Sequence, residues 1–229
     1  LRLGISHVRL RLYYFGWIFK GGLPSLARQG LASVATICLN QACRGYGDAV
    51  IAAMGVVQRI TQFGGSAMIG FGQGFQPVCG FNYGAKLYKR VKDGFWFCVK
   101  YSFLFLVVVS ALGYIFAPQL IALFRDDPEV IACGTTALRL QCLTFPLQSW
   151  LIIANMMEQT IGRTIPATFL AAARQGVFFI PAVLILPLMM KLLGIQAAQS
   201  VADILSFISA VPIQLYVMKT MDRETIQRK

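Results

Sequence analysis

The sequence predicts an all-α chain folded as a bundle of six membrane-crossing helices. Three observations carry this expectation. Of its residues 57% are hydrophobic and only 13% charged, with a mean hydropathy of +0.64, whereas soluble chains carry about 25% charged residues. Six apolar stretches each reach the roughly 20 residues that a helix needs to cross a hydrocarbon core. The basic residues gather in alternate connectors between those stretches.

In chain order the stretches are Leu23–Cys43, Asp48–Tyr83, Phe95–Phe116, Val130–Met157, Ile165–Met190 and Gly194–Met218. They define a six-helix lobe over residues 23–221. Residues 1–22 mix Arg2, Arg9, Arg11 and Lys20 with Tyr13, Tyr14, Phe15 and Trp17, the composition of an interfacial linker. Residues 222–229 read as a polar tail. The second stretch is too long to lie wholly in lipid, so its far end is expected to project into water or to kink near Gly72, Gly74 and Pro77. The short apolar run Phe116–Phe124 fits an interfacial helix. Pro146, Pro166, Pro181, Pro187 and Pro212 sit in or at the ends of stretches and are expected to bend them.

Thirteen basic residues fall in the two terminal segments and in the connectors after the second and fourth stretches; Arg44, Arg125 and Lys191 alone fall in the others. By the positive-inside rule both termini are expected in the cytoplasm of a multi-pass protein of the plasma (inner) membrane. A net charge of +12 would also suit nucleic acid, but the basic residues stripe no helix and form no zinc-finger or RRM signature. Cys38, Cys43, Cys79, Cys98, Cys133 and Cys142 lie in or beside apolar runs without a CxxC spacing, and His7 is the only histidine. No metal site is expected, and no Walker A, HExxH or GxSxG run points to an enzyme. The chain begins at Leu1 with no signal-peptide pattern and is expected to be an internal piece of a longer protein.

Charged groups at mid-membrane are costly and default to a functional or packing-critical role. Counted from the stretch ends, Asp203, Arg139 and Arg174 each lie about 14 Å deep, near the midplane. Asp203 is the one acid inside a stretch so drawn, and a pair with Arg139 or Arg174 would offset its burial. Such a pair could lock helices together or handle protons. In the second stretch Gln58, Arg59, Gln62 and Ser66 suggest a polar stripe, with interhelical bonding and a cleft wall as the two readings. Gln141, Met156, Gln175 and Phe178 join Arg174 as candidates for a permissive pocket, because methionine is polarisable and rings attract cations. Core packing is the alternative for each.

The run Gly70-Phe-Gly-Gln-Gly-Phe-Gln-Pro-Val-Cys-Gly-Phe-Asn-Tyr-Gly-Ala85 is apolar yet rich in glycine and amides. It resembles the conserved end of a helix in the MATE multidrug and toxic compound extrusion transporters. Gly22-Leu-Pro-Ser-Leu-Ala-Arg-Gln29 resembles the entry to the first helix of that family's C-terminal lobe, and the run Tyr46–Ile60 resembles its next loop and helix. The matching positions are Pro24, Gln29, Gly47, Asp48, Gln73, Gln76, Pro77, Asn82 and Gly84. The resemblance implies half of a twelve-helix secondary transporter, lacking its N-terminal six-helix lobe. Its partners would be that lobe, the lipid bilayer and organic cations. It would expel them by antiport against a proton or sodium, without a cofactor. Some members bind the coupling ion through acids in the first and fourth helices of this lobe. Here Gln29 and Gln141 are the nearest polar groups in those stretches, so coupling is expected to fall to the missing lobe or to Asp203. A lipid-linked oligosaccharide flippase of the same superfamily, or a non-transporting scaffold subunit, are the other readings.

Overall fold

In hydrocarbon every backbone N–H and C=O must be satisfied inside the chain, and a helix does so locally. The computed structural model describes residues 12–226, and among them no strand occurs. The helices are α1 (Leu12–Cys43), α2 (Asp48–Gly84), α3 (Tyr88–Ile115), α4 (Ala117–Phe124), α5 (Pro128–Thr144), α6 (Gln148–Thr160), α7 (Thr164–Ala172), α8 (Phe179–Met190) and α9 (Leu192–Ile226). Residues 12–22 of the expected linker continue the first helix without a break, and Pro24 sits buried within it. The rest of that linker, residues 1–11, and the tail's residues 227–229 lie outside the described residues.

Among the described residues four stretches are long and apolar enough to cross a membrane: Tyr88–Ile115, Pro128–Thr160, Thr164–Met190 and Leu192–Arg223. The helices α1 and α2 have the length, at 32 and 37 residues, but not the apolarity. Glutamines, asparagines and arginines interrupt both. At about 1.5 Å per residue α2 measures ~55 Å and exceeds a hydrocarbon core of ~30 Å. Pro77 does not interrupt it.

Two stretches expected as single helices are broken. Pro146 has no N–H to give to Cys142, and the fourth stretch narrows there to a 3-10 turn, Phe145–Leu147, between α5 and α6. Pro181 likewise leaves the Val177 carbonyl without its helical donor. Just before it the fifth stretch widens into a π-turn, Ala173–Val177, in which the Phe178 N–H reaches back five residues to the Ala173 carbonyl at 3.0 Å.

The turns sort into two ends. Tyr46, Glu129 and Leu192 line one cavity, which puts the α1–α2, α4–α5 and α8–α9 turns together. At the other end Lys92 pairs with Asp222, and Gln159 donates to the Ser25 hydroxyl at 3.3 Å. Both ends of the described chain lie there. Gly47, at φ +97°, occupies backbone space that favours glycine and opens α2, whose first residue Asp48 suits the positive helix N-terminus. Asp127 caps α5 by accepting from the Glu129 N–H at 3.0 Å.

Three apolar clusters stack along the bundle. One joins Leu39, Val57, Ile121, Leu138 and Val183 at the Tyr46 end. A second joins Phe95, Trp150, Met157 and Met218 at the other end. Met68, Leu106 and Phe145 lie between them. The π-turn meets α1 closely at Gly176, where an added Cβ would stand 2.7 Å from Leu31 Cδ1. Gly176→Val is therefore expected to destabilise the fold by about 1–3 kcal/mol, while Gly74→Ala, which faces open space, should change little. Thermal unfolding of the detergent-solubilised protein checks this; equal melting of the two variants would refute the packing at Gly176.

Candidate functional site

The buried face of α9 carries polar groups at helical spacing: Gln196, Ser200, Asp203, Ser206 and Gln214, each with little or no exposure. In an otherwise apolar helix these groups must find partners inside the bundle. Asp203, with no exposed surface, finds three. Arg174 Nε stands 2.6 Å from its Oδ1, Gln199 Nε2 donates to the same oxygen at 3.1 Å, and Gln148 Nε2 donates to Oδ2 at 3.4 Å.

Local breaks place two of those donors. Arg174 projects from the π-turn, and Gln148 opens α6 just after the 3-10 turn. The carboxylate thus ties the fourth, fifth and sixth stretches together between the two large apolar clusters. Arg174 keeps 26% of its side-chain exposure, so the pair is buried on the aspartate side only.

Arg139, the other expected partner, does not join Asp203. Its Nε donates to the Tyr114 carbonyl at 3.3 Å, and its guanidinium carbon stands 5.3 Å from the centre of the Tyr114 ring. The packing of α5 on α3 turns it to that side. Depth counting gives a residue's level in a helix but not the direction it faces.

The expectation of a single intramembrane acid is also overturned. Glu158 in α6, one residue beyond the stretch as drawn, is fully buried, and neither carboxyl oxygen has a hydrogen-bond partner among the described residues. Cys79 of α2 and Arg163 lie within its electrostatic reach. On α9, Gln214 is fully buried too, donates to Met157 Sδ at 3.1 Å and leaves its own Oε1 without a partner. Among the described residues no cluster of His, Cys, Asp or Glu could hold a metal ion.

The remaining candidates divide. Arg59, Gln62, Ser66 and Gln73 are exposed along α2, and Gln29, Ser33 and Gln41 along α1. Gln58, Gln76, Gln175 and Phe178 are half-buried. Gln141 and Met156 are buried; Met156 packs its sulfur on Gly72, the space a larger residue would fill. Asn82 is bonded to the Val78 carbonyl at 2.8 Å, and Gly84 ends α2. Pro77 is exposed within α2. Glu158, Gln199 and the α9 stripe were missed from the sequence. The spacing of polar residues in the last stretch was the available signal for the stripe.

Asp203→Asn is expected to cost about 3 kcal/mol, the low end for breaking a buried pair, because Arg174 retains some exposure. Combining Arg174→Met with Asp203→Leu should cost clearly less than the sum of the single changes. Melting temperatures of the four proteins decide the matter, and strict additivity would sink the pair's structural role.

The MatE family model matches residues 24–185. The multidrug export protein MepA of Staphylococcus saprophyticus is 26% identical over all of this chain and 49% of its own length. MepA of Staphylococcus aureus is 26% identical over 91% of the chain and 45% of its own. The chain thus spans about half the length of these curated relatives. Among solved structures, MATE in the bent conformation superposes with a TM-score of 0.88 at 20% identity, over 99% of this chain and 50% of that one. The Vibrio cholerae MATE transporter VcmN in the bent form gives 0.84 at 17%, over 96% and 49%. With the match extending over more than half of its residues, this chain belongs to the MATE family.

Proposed function

We propose that this chain is one lobe of a secondary transporter that exports organic cations in exchange for a proton or sodium. The observation that carries the reading is the pair of exposed polar faces on α1 and α2. These helices make little contact with each other and pack on different neighbours, α1 on α7 and α8, α2 on α3, α5 and α6. A polar face is unsuited to lipid and fits a water-filled cleft closed by a second lobe. The half-length match to proteins named for multidrug export supports the same view.

Coupling in this lobe is assigned to Glu158. Asp203 already has a cation and two amides on its oxygens, and a carboxylate so saturated is poorly placed to trade ions. Glu158 has none. Its charged and neutral forms differ greatly in burial cost, so proton or cation uptake is linked to the packing of α6 on α2. Opening the cleft to either side would change which water reaches it.

Arg59, exposed and without an ion-pair partner among the described residues, favours a second reading, a flippase for an anionic lipid-linked substrate. The two readings part on Arg59→Gln, which should leave organic-cation export intact under the first and abolish transport under the second.

Glu158→Gln in the full-length protein is expected to abolish proton or sodium movement driven by substrate while leaving substrate binding within about threefold. Glu158→Asp should retain part of the exchange. Ion flux and dye binding in proteoliposomes measure both, and undiminished exchange in Glu158→Gln would refute the assignment.

A further inference from the structure

Between α3 and α5 runs an apolar groove of about 390 Å³, lined by Val107, Ser110, Tyr114, Cys142, Leu143 and Pro146 among others. It runs along the last two turns of α3 and ends at Tyr114, next to the last residue of that helix.

Against Tyr114 stands Arg139. Its Nε is taken by the Tyr114 carbonyl and its plane lies by the Tyr114 ring. A guanidinium has five N–H donors, and the other four have no acceptor among the described residues. Nor has Arg139 a carboxylate within ion-pair distance there, where the pairs are Lys92–Asp222, Arg125–Asp127 and Arg174–Asp203. An unpaired cation beside an apolar groove that opens to lipid is complementary to one kind of molecule: an anion carrying a long apolar chain.

The surroundings favour lipid over protein as the occupant. Leu104, Val108, Leu112 and Ile115 are exposed around α3 without a polar residue among them, the surface of a helix facing acyl chains. The polar faces suited to a second lobe lie on α1 and α2. In the groove wall Ser110 is nine-tenths buried, and its hydroxyl has no partner.

We propose that the α3–α5 groove is a binding site for an anionic phospholipid of the leaflet at the α4 end. One acyl chain lies along Val107, Leu143 and Pro146. The headgroup phosphate accepts charge-assisted hydrogen bonds from the free donors of Arg139, which the Tyr114 carbonyl and ring hold in place. The site depends on the chain lying in a membrane and not on transport, so its test stands apart from that of the export reading.

The test uses the full-length protein in phosphatidylcholine nanodiscs doped with phosphatidylglycerol that carries a photoreactive diazirine on one acyl chain. After illumination, labelled peptides are mapped by mass spectrometry. Labels are expected on Val107, Leu143 or Pro146, with phosphatidylglycerol several-fold above the same probe built on phosphatidylcholine. Arg139→Ala should lower this labelling about tenfold, the worth of one charge-assisted contact. Leu143→Trp, which fills the groove and leaves the cation untouched, should lower it as well. Each variant is accepted only if it elutes as a monodisperse peak, and two independent variants guard against one that fails to fold. Labelling absent from the groove, equal for the two headgroups, or indifferent to Arg139 would overturn the proposal. So would cross-linking of position 143 to another part of the protein, which would make the groove a protein interface.

Discussion

A carboxylate removed from water must be met by positive charge and hydrogen-bond donors, or the helix that carries it will not stay in the membrane. Asp203 imposes that requirement on half of the bundle. To meet it, α9 must turn its polar stripe inward, the fifth stretch must present Arg174, and the fourth must deliver Gln148. Two irregular turns sit beside the two donors, a π-turn around Arg174 and a 3-10 turn before Gln148. Each occurs next to a proline that removes a backbone donor. The irregularities that an ideal helix would avoid are thus gathered where a polar cross-link between three stretches repays them.

The two buried acids are opposites in their surroundings. Asp203 is ringed by donors and joins elements; Glu158 is buried near Cys79 and Arg163, and neither of its oxygens has a hydrogen-bond partner among the described residues. One is held by a fixed set of partners, the other is not. They also lie apart, Asp203 between the two large clusters and Glu158 within the one near the chain ends. A change in hydration near Glu158 would therefore not require the Asp203 cross-link to break.

Much of this was legible in the sequence because lipid is a severe solvent. Apolar runs of sufficient length located the six stretches, and the bounds drawn for the second, Asp48–Tyr83, fall within a residue of α2. The pairing of Asp203 was narrowed to two arginines but not decided, since the direction a side chain faces comes from how helices pack. Glu158 was missed for a smaller reason: the apolar stretch was closed at Met157, and the helix runs on to Thr160. The π-turn has no periodic signature of its own. A run of five residues cannot announce a change from four-residue to five-residue hydrogen bonding, although Pro181 nearby marked the place where the backbone would give way. Met156 and Gln141 looked like cleft residues by type, and their burial against neighbouring helices reflects a tertiary arrangement that residue type does not encode.

The cysteines have a practical side. All six are free thiols; Cys43, Cys79, Cys98, Cys133 and Cys142 are buried, and only Cys38 is partly accessible. Maleimide and methanethiosulfonate reagents react with exposed thiolates, so this lobe offers a nearly silent background to them. Replacing Cys38 alone would give a scaffold on which single reporter thiols, placed along α1 and α2, could carry spin labels or fluorophores. Distances between such probes would follow the opening of the two polar faces directly, without stripping the buried sulfur atoms that help fill the core.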